Sequence, residues 1–174
     1  MKRLIQKTEY ENLDIITANM KLLKANLEVM LDQQRPQQNR LEKALASVAG
    51  EYDFCIIDNA PDINISTINA LVASDDVIVP LEIDDNTTEG LPELVEQVEN
   101  VKEDLNEHLT FRGCLVTKLT GRTKHMCRGK NYCGSGNIRY LIVTYGFQRR
   151  FLKAHSTVNL FSSIQGVPQR QWII

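Results

Sequence analysis

Tyr52 to Asp62, YDFCIIDNAPD, decides the fold. Phe54 to Ile57 are apolar at consecutive positions, the pattern of a strand covered on both faces of a parallel sheet. Asp58 ends the run and a turn containing Pro61 follows. Ser66 to Ala73 (STINALVA) then takes a helical pattern.

Reading outward, the same alternation continues. Asp76 to Leu81 (DVIVPL) is a second buried strand. A helix is expected from Leu91 to Leu105, with Leu91, Leu94, Val95, Val98, Val101 and Leu105 on its core face and Pro92 in its first turn. Arg112 to Lys118 (RGCLVTK) is a further strand, and TGRTKH a loop. Upstream, Leu13 to Ile16 is a short strand candidate. The run from Asn19, NMKLLKANLEVMLDQQ, is a helix with Leu22, Leu23, Leu27 and Met30 on one face, broken near Pro36. Asn39 to Val48 is a second helix ending at Gly50. Strands alternating with amphipathic helices give an α/β fold with a parallel sheet.

Composition bounds the rest. The 174 residues are enough for one domain. No apolar run reaches the length of a membrane span, and the charged start MKRLIQKTEYENLDII is unlike a secretory signal. Four cysteines without a regular framework suit a reducing cytoplasm. The net charge of −2 hides a division: residues 1–125 hold 22 acidic and 13 basic side chains, residues 126–174 seven basic and no acidic ones. Average usage would place about six acidic residues in that tail. The chain therefore divides into a domain over 1–125 and an unassigned tail over 126–174.

Five segments in this order resemble the ParA/MinD (Soj-like) branch of P-loop ATPases, which partition chromosomes and plasmids: NLDIITAN (Asn12 to Asn19), YDFCIIDNAPDINISTINAL (Tyr52 to Leu71), ASDDVIVPLE (Ala73 to Glu82), EGL (Glu89 to Leu91) and FRGCLVTKLTGRT (Phe111 to Thr123). The resemblance implies a P-loop NTPase (Rossmann-like, three-layer) fold. It makes Asp58 the Walker B aspartate, which holds Mg²⁺ through a water beside the phosphates of ATP. It sets Thr117 and Lys118 where the family approaches the adenine. It further implies dimerisation around the nucleotide, non-specific DNA binding and stimulation by a centromere-binding partner.

Two departures set the functional expectation. The family's Gly-rich loop with Lys and Ser/Thr cradles the phosphates. No such loop lies among the residues before Tyr52, whose sole glycine is Gly50. These residues are therefore expected to bind and hydrolyse no ATP, to lack the family strand beside the Walker B strand, and so to carry open ladder edges. Second, the acid-free tail has the composition of a segment translated out of frame from near Met126 to Lys130. Re-reading its codons in another frame can restore the GKPV turn and small-residue helix with which the family ends. On that reading His125, Cys127 and Cys133 are not a zinc site, lacking paired ligand spacing, and the basic tail is not a selected nucleic-acid surface. Glu82 to Asp85 reads as a solvated loop, Arg122 and Lys124 as loop cations, and His108 as exposed. A non-enzymatic module that binds a full-length homologue or a partition partner is the alternative function.

Overall fold

The computed structural model describes residues 1–60, 62–82, 90–117, 140–142 and 171–173. Two short strands, β1 (Gln6–Lys7) and β2 (Asp14–Ile15), pair antiparallel as a ribbon. Then come helices α1 (Lys21–Leu31) and α2 (Arg40–Ala46), strand β3 (Phe54–Ile56), α3 (Ile65–Val72), β4 (Asp76–Glu82), α4 (Leu91–Asp104), β5 (Thr110–Thr117), β6 (Tyr140–Ile142) and β7 (Gln171–Ile173). Among the described residues the main sheet has the order β3-β7-β4-β5-β6, every pairing parallel. The α/β class expected from the alternation is the one observed.

The core lies where α3 and α4 pack on β4 and β5. Leu71, Val72, Val77, Val98, Val101 and Leu109 form one buried cluster, with Ile68, Val79, Leu94 and Phe111 against it. Leu91 and Cys114 extend it beneath Val95. The 3.6-residue spacing of Leu91, Leu94, Val98 and Val101 puts them on one stripe of α4, and burial of that stripe holds the helix to the sheet. Leu105, expected on the same face, is instead exposed, because α4 ends at Asp104 and the chain turns away there.

β5 carries a bulge. Val77 pairs with Phe111 and Ile78 with Gly113, so Arg112 is the extra residue. Gly113 has φ of 124°, a backbone state that a side chain would strain. The bulge releases Arg112 from the ladder, and its Nε donates to Oδ1 of the buried Asp76 at 2.6 Å.

Several expectations are corrected. Phe54 and Ile56 are 47% and 58% exposed, not buried on both faces, because β3 is short and stands at the end of the strand order. Leu22, Leu23, Leu27 and Met30 of α1 are also exposed: the helix meets α3 through Asn26, whose Nδ2 donates to Ser66 Oγ at 3.0 Å, and buries no apolar stripe. α2 stops at Ala46, with Gly50 inside a separate 3-10 turn, Ala49–Glu51. Leu13 to Ile16 contributes β2 to the ribbon and not to the main sheet. Residues of the tail form β6 and β7, and β7 pairs with β3 where an open edge was expected.

Candidate functional site

Because all main-sheet strands run the same way, their carboxyl ends share one rim, where open α/β sheets take ligands. Asp58 lies on that side, two residues beyond the end of β3, and is exposed. The segment between it and α3 is fixed by hydrogen bonds from short polar side chains. Asn64 Oδ1 accepts from Ser66 N at 2.8 Å and Thr67 N at 3.1 Å, capping α3. Asn64 Nδ2 donates to Asp62 Oδ2 at 2.9 Å, and Thr67 Oγ1 donates to the Asp62 carbonyl at 2.8 Å. Asn59 Nδ2 turns back to the Ile57 carbonyl at 3.3 Å. The strand-to-helix turn that bears Asp58 is thus braced at both ends.

Asn64 also determines what this turn can bind. A helix N-terminus attracts anions through its unpaired N–H groups. In α3 the Asn64 amide oxygen already takes two of them, so this terminus is not a ready phosphate cradle. Among the described residues no three His, Cys, Asp or Glu side chains cluster to hold a metal ion. An exposed carboxylate such as Asp58 fits the role of holding a hydrated divalent cation. At the start of α3, two of the N–H donors that a phosphate would use are taken by Asn64.

Thr117 is the last residue of β5, paired in register with Glu82 at the end of β4. The register also sets its relation to Asp58. Ile56 is level with Ile173, and Ile173 with Asp76, the first residue of β4. β4 and β5 therefore run on well past the end of β3. Thr117 lies three strand spacings sideways from Asp58 and about four residues further along, on the order of 15–20 Å away. Both residues stand on one side of the sheet but do not meet. Lys118 lies outside the described residues, as do Asp84, Asp85, Arg122, Lys124, His125, Cys127 and Cys133. His108 is exposed, as expected, near Glu107 at 3.7 Å.

Cys55, in register with Trp172 of β7, is half-buried, and burial pushes its thiol up to about 11. It is therefore protonated at neutral pH and poorly nucleophilic. Two residues beside the site escaped the sequence reading. Asn64 stands just before the helical run of α3, the ordinary place for an N-cap, and that signal could have found it. Asn69 had no such signal. Its Oδ1 accepts from the backbone N–H of Arg40 and Leu41 at 2.9 and 3.2 Å, and its Nδ2 donates to Gln37 and Ile65 carbonyls at 2.8 Å each. One buried amide therefore ties α2 to α3, a contact between segments far apart in the chain.

Comparison with known proteins places this arrangement. A family model described as an AAA domain matches residues 1–111. The sporulation initiation inhibitor protein Soj of Bacillus subtilis (strain 168) is 40% identical over 120 residues, 69% of this chain and 47% of that protein. The chromosome partitioning protein ParA of Myxococcus xanthus is 35% identical over 122 residues, 70% of this chain and 42% of its own. The chain spans about half the length of the curated relatives it matches. Among solved structures, cobyrinic acid a,c-diamide synthase from Mycobacterium smegmatis, crystallised with an ATP analog and magnesium, superposes with a TM-score of 0.65 at 29% identity. The match covers 71% of this chain and 50% of that one. A plasmid partition protein from Borrelia burgdorferi gives a TM-score of 0.58 over 80% of this chain and 56% of its own. At 23% identity it speaks for the fold alone.

Proposed function

The chain belongs to the AAA-domain family, in its ParA/MinD-type P-loop branch, and from that premise we propose that these 174 residues are the Walker B part of a chromosome- or plasmid-partitioning ATPase. One observation carries the reading: Asp58 sits on a braced strand-to-helix turn on the ligand-binding side of a parallel sheet. In the proposed role its carboxylate holds the water shell of the Mg²⁺ that accompanies ATP. Bound Mg²⁺ and ATP would supply charge neutralisation and a phosphoryl group. The residues present here would orient the cation and fix the turn. Thr117 and Lys118 are proposed to face the base, on the far side of the same rim.

The finer proposal is that these residues by themselves neither bind nor hydrolyse ATP. No Gly-rich loop bearing Lys and Ser/Thr stands before Tyr52 in the sequence, and α3 offers two of its terminal N–H groups to Asn64. Mg-dependent phosphate release by the purified 174-residue protein should equal that of Asp58→Ala. Turnover lost on that substitution would sink the proposal, since it would mean that a working phosphate site exists.

A second reading has its own observation. Leu22, Leu23, Leu27 and Met30 on α1 are all exposed, the surface of a helix that lacks its cover. On this reading the chain is a non-enzymatic module that binds a full-length ParA-type protein, or its centromere-binding partner, in the cytoplasm. Pull-down with a purified intact homologue tests it: retention weakened by Leu23→Lys/Leu27→Lys supports it, and no retention rejects it. In the proposed setting, DNA contact belongs to the whole partitioning protein. No helix among the described residues is long and apolar enough to cross a membrane.

A further inference from the structure

α1 and the residue before it carry an exposed apolar stripe. Met20, Leu23, Leu27 and Met30 are 78%, 60%, 61% and 57% exposed. Their spacing of three, four and three residues is that of the seam along which two helices pair. The stripe also reads the same from either end, Met-Leu-Leu-Met about Ala25. The half-buried positions of α1, Asn26 and Val29, lie on another side of the helix, where Asn26 Nδ2 donates to Ser66 Oγ of α3. The charges of α1 are arranged against the helix itself. Lys21 and Lys24 stand at its amino end and Glu28 nearer its carboxyl end, with no acidic residue in the first turn and no basic one in the last. That layout opposes the helix dipole, and Lys24 ahead of Glu28, at 3.7 Å, is the weaker order for such a pair.

We propose that α1 is the contact of a homodimer, in which this stripe packs antiparallel on the same stripe of a second copy. A two-fold axis beside Ala25 sets Leu23 against Leu27 of the second copy, and Met20 against its Met30. The two apolar rows close on each other and water leaves them. The same axis brings Lys21 and Lys24 of each copy beside Glu28 of the other, and each amino end beside the other's carboxyl end. A parallel pair would also close the apolar rows, but it sets Lys21 and Lys24 against the same lysines of the second copy. The charges therefore select the antiparallel arrangement, and the symmetry of the stripe selects a second copy of this chain as its occupant. The contact involves neither Asp58 nor a nucleotide, so it stands apart from the ATPase reading. Four side chains from each copy fall short of the ~1,600 Å² of a standard interface, so the dimer forms as concentration rises.

Light scattering on the 174-residue protein without nucleotide should show a mass that rises towards two chains with concentration. Leu23→Lys/Leu27→Lys, at two exposed positions, should hold it at one chain. Disulfides read the orientation, in chains that carry Cys127→Ser and Cys133→Ser. One kind of chain holds Met20→Cys and the other Met30→Cys, and the parent with neither corrects for Cys55. After mixing and mild oxidation, disulfides between the two kinds should outnumber those between like chains, because the antiparallel seam sets position 20 against position 30. The two positions lie about 15 Å apart along one helix, so a chain with both cysteines cannot close on itself and should give dimers joined twice. A mass fixed at one chain up to millimolar concentration overturns the proposal, as does a dimer that survives the lysine pair. An excess of like-chain disulfides overturns it too. A chain that stays single yet is retained by an intact homologue also overturns it, and leaves the heterologous module standing. If the lysine variant loses its far-UV helical signal, the disulfide pattern decides.

Discussion

Asn106 works for α3 although it belongs to the turn after α4. Its Nδ2 donates to the carbonyls of Leu71, Val72 and Ser74 at 3.1, 3.2 and 2.7 Å, at and just past the end of α3, where the Leu71 oxygen also accepts from Ser74 N at 3.3 Å. Asn106→Ala takes this donor from the Val72 and Ser74 carbonyls and should cost about 1–3 kcal/mol. In urea, the midpoint should fall with no change in slope; an unchanged midpoint would mean that water replaces the amide without loss. Asp32 makes a pH prediction. Its Oδ2 accepts from Arg40 at 2.8 Å, and Arg35 is paired with it as well, so its carboxyl lies below the usual carboxylate range. A depressed folded value contributes stability that is complete above the unfolded value, about 3.9, and is lost as pH falls through the folded one. The urea midpoint of the native protein should therefore drop more steeply below about pH 4 than that of Asp32→Asn. Parallel acid limbs would show that the pair contributes nothing.

At the scale of elements, the bulge in β5 and the exposed faces of α1 and β3 separate what the sequence revealed from what it did not. α3, β4, α4 and β5 were legible because each carries its own periodicity, and a buried stripe or strand needs no knowledge of the rest of the chain. Burial of β3 was misread for a physical reason: four apolar residues in a row describe what a strand could cover, not whether neighbours cover it. β7 was invisible, since three residues of a basic, acid-free tail carry no strand signal of their own. Asp58 was legible as the end of a strand, whereas the cap that braces its turn was missed and its offset from Thr117 appears only once the register is known. The bulge itself supports a prediction. Asp76 is 2% exposed and Arg112 reaches it only because Gly113 lets the strand step aside. Arg112→Ala strands a buried carboxylate and should destabilise by about 3 kcal/mol, the low end for a broken buried pair, because the guanidinium is partly solvated. Asp76→Asn with Arg112→Met, which removes both charges, should recover much of that loss in chemical denaturation. A double variant as weak as Arg112→Ala would place the cost in the bulge and not in the ion pair.

For the whole molecule, the question is whether a chain that spans about half the length of its curated relatives behaves as a ligand-binding unit or as a scaffold that lacks part of its proposed site. Linkage gives a measurement that does not depend on turnover. A ligand present at a hundred times its dissociation constant stabilises the folded state by about 2.7 kcal/mol. For a domain of this size each kcal/mol moves the melting temperature by roughly 2–4 °C, so real occupancy would raise it by several degrees. The proposal that the phosphate cradle is missing predicts no rise with Mg-ATP beyond that produced by Mg²⁺ and inorganic triphosphate. Polyanions of the second kind control for the seven basic residues of the tail, which attract any such ion without a built site. Asp58→Ala should leave the melting curve in Mg-ATP unchanged, because an exposed carboxylate with no bound nucleotide to serve holds nothing together. A shift of several degrees with Mg-ATP, abolished by that substitution, would mean that a nucleotide site is complete within these residues. The phosphate-binding groups would then lie among the described residues or in the segments 83–89, 118–139 and 143–170.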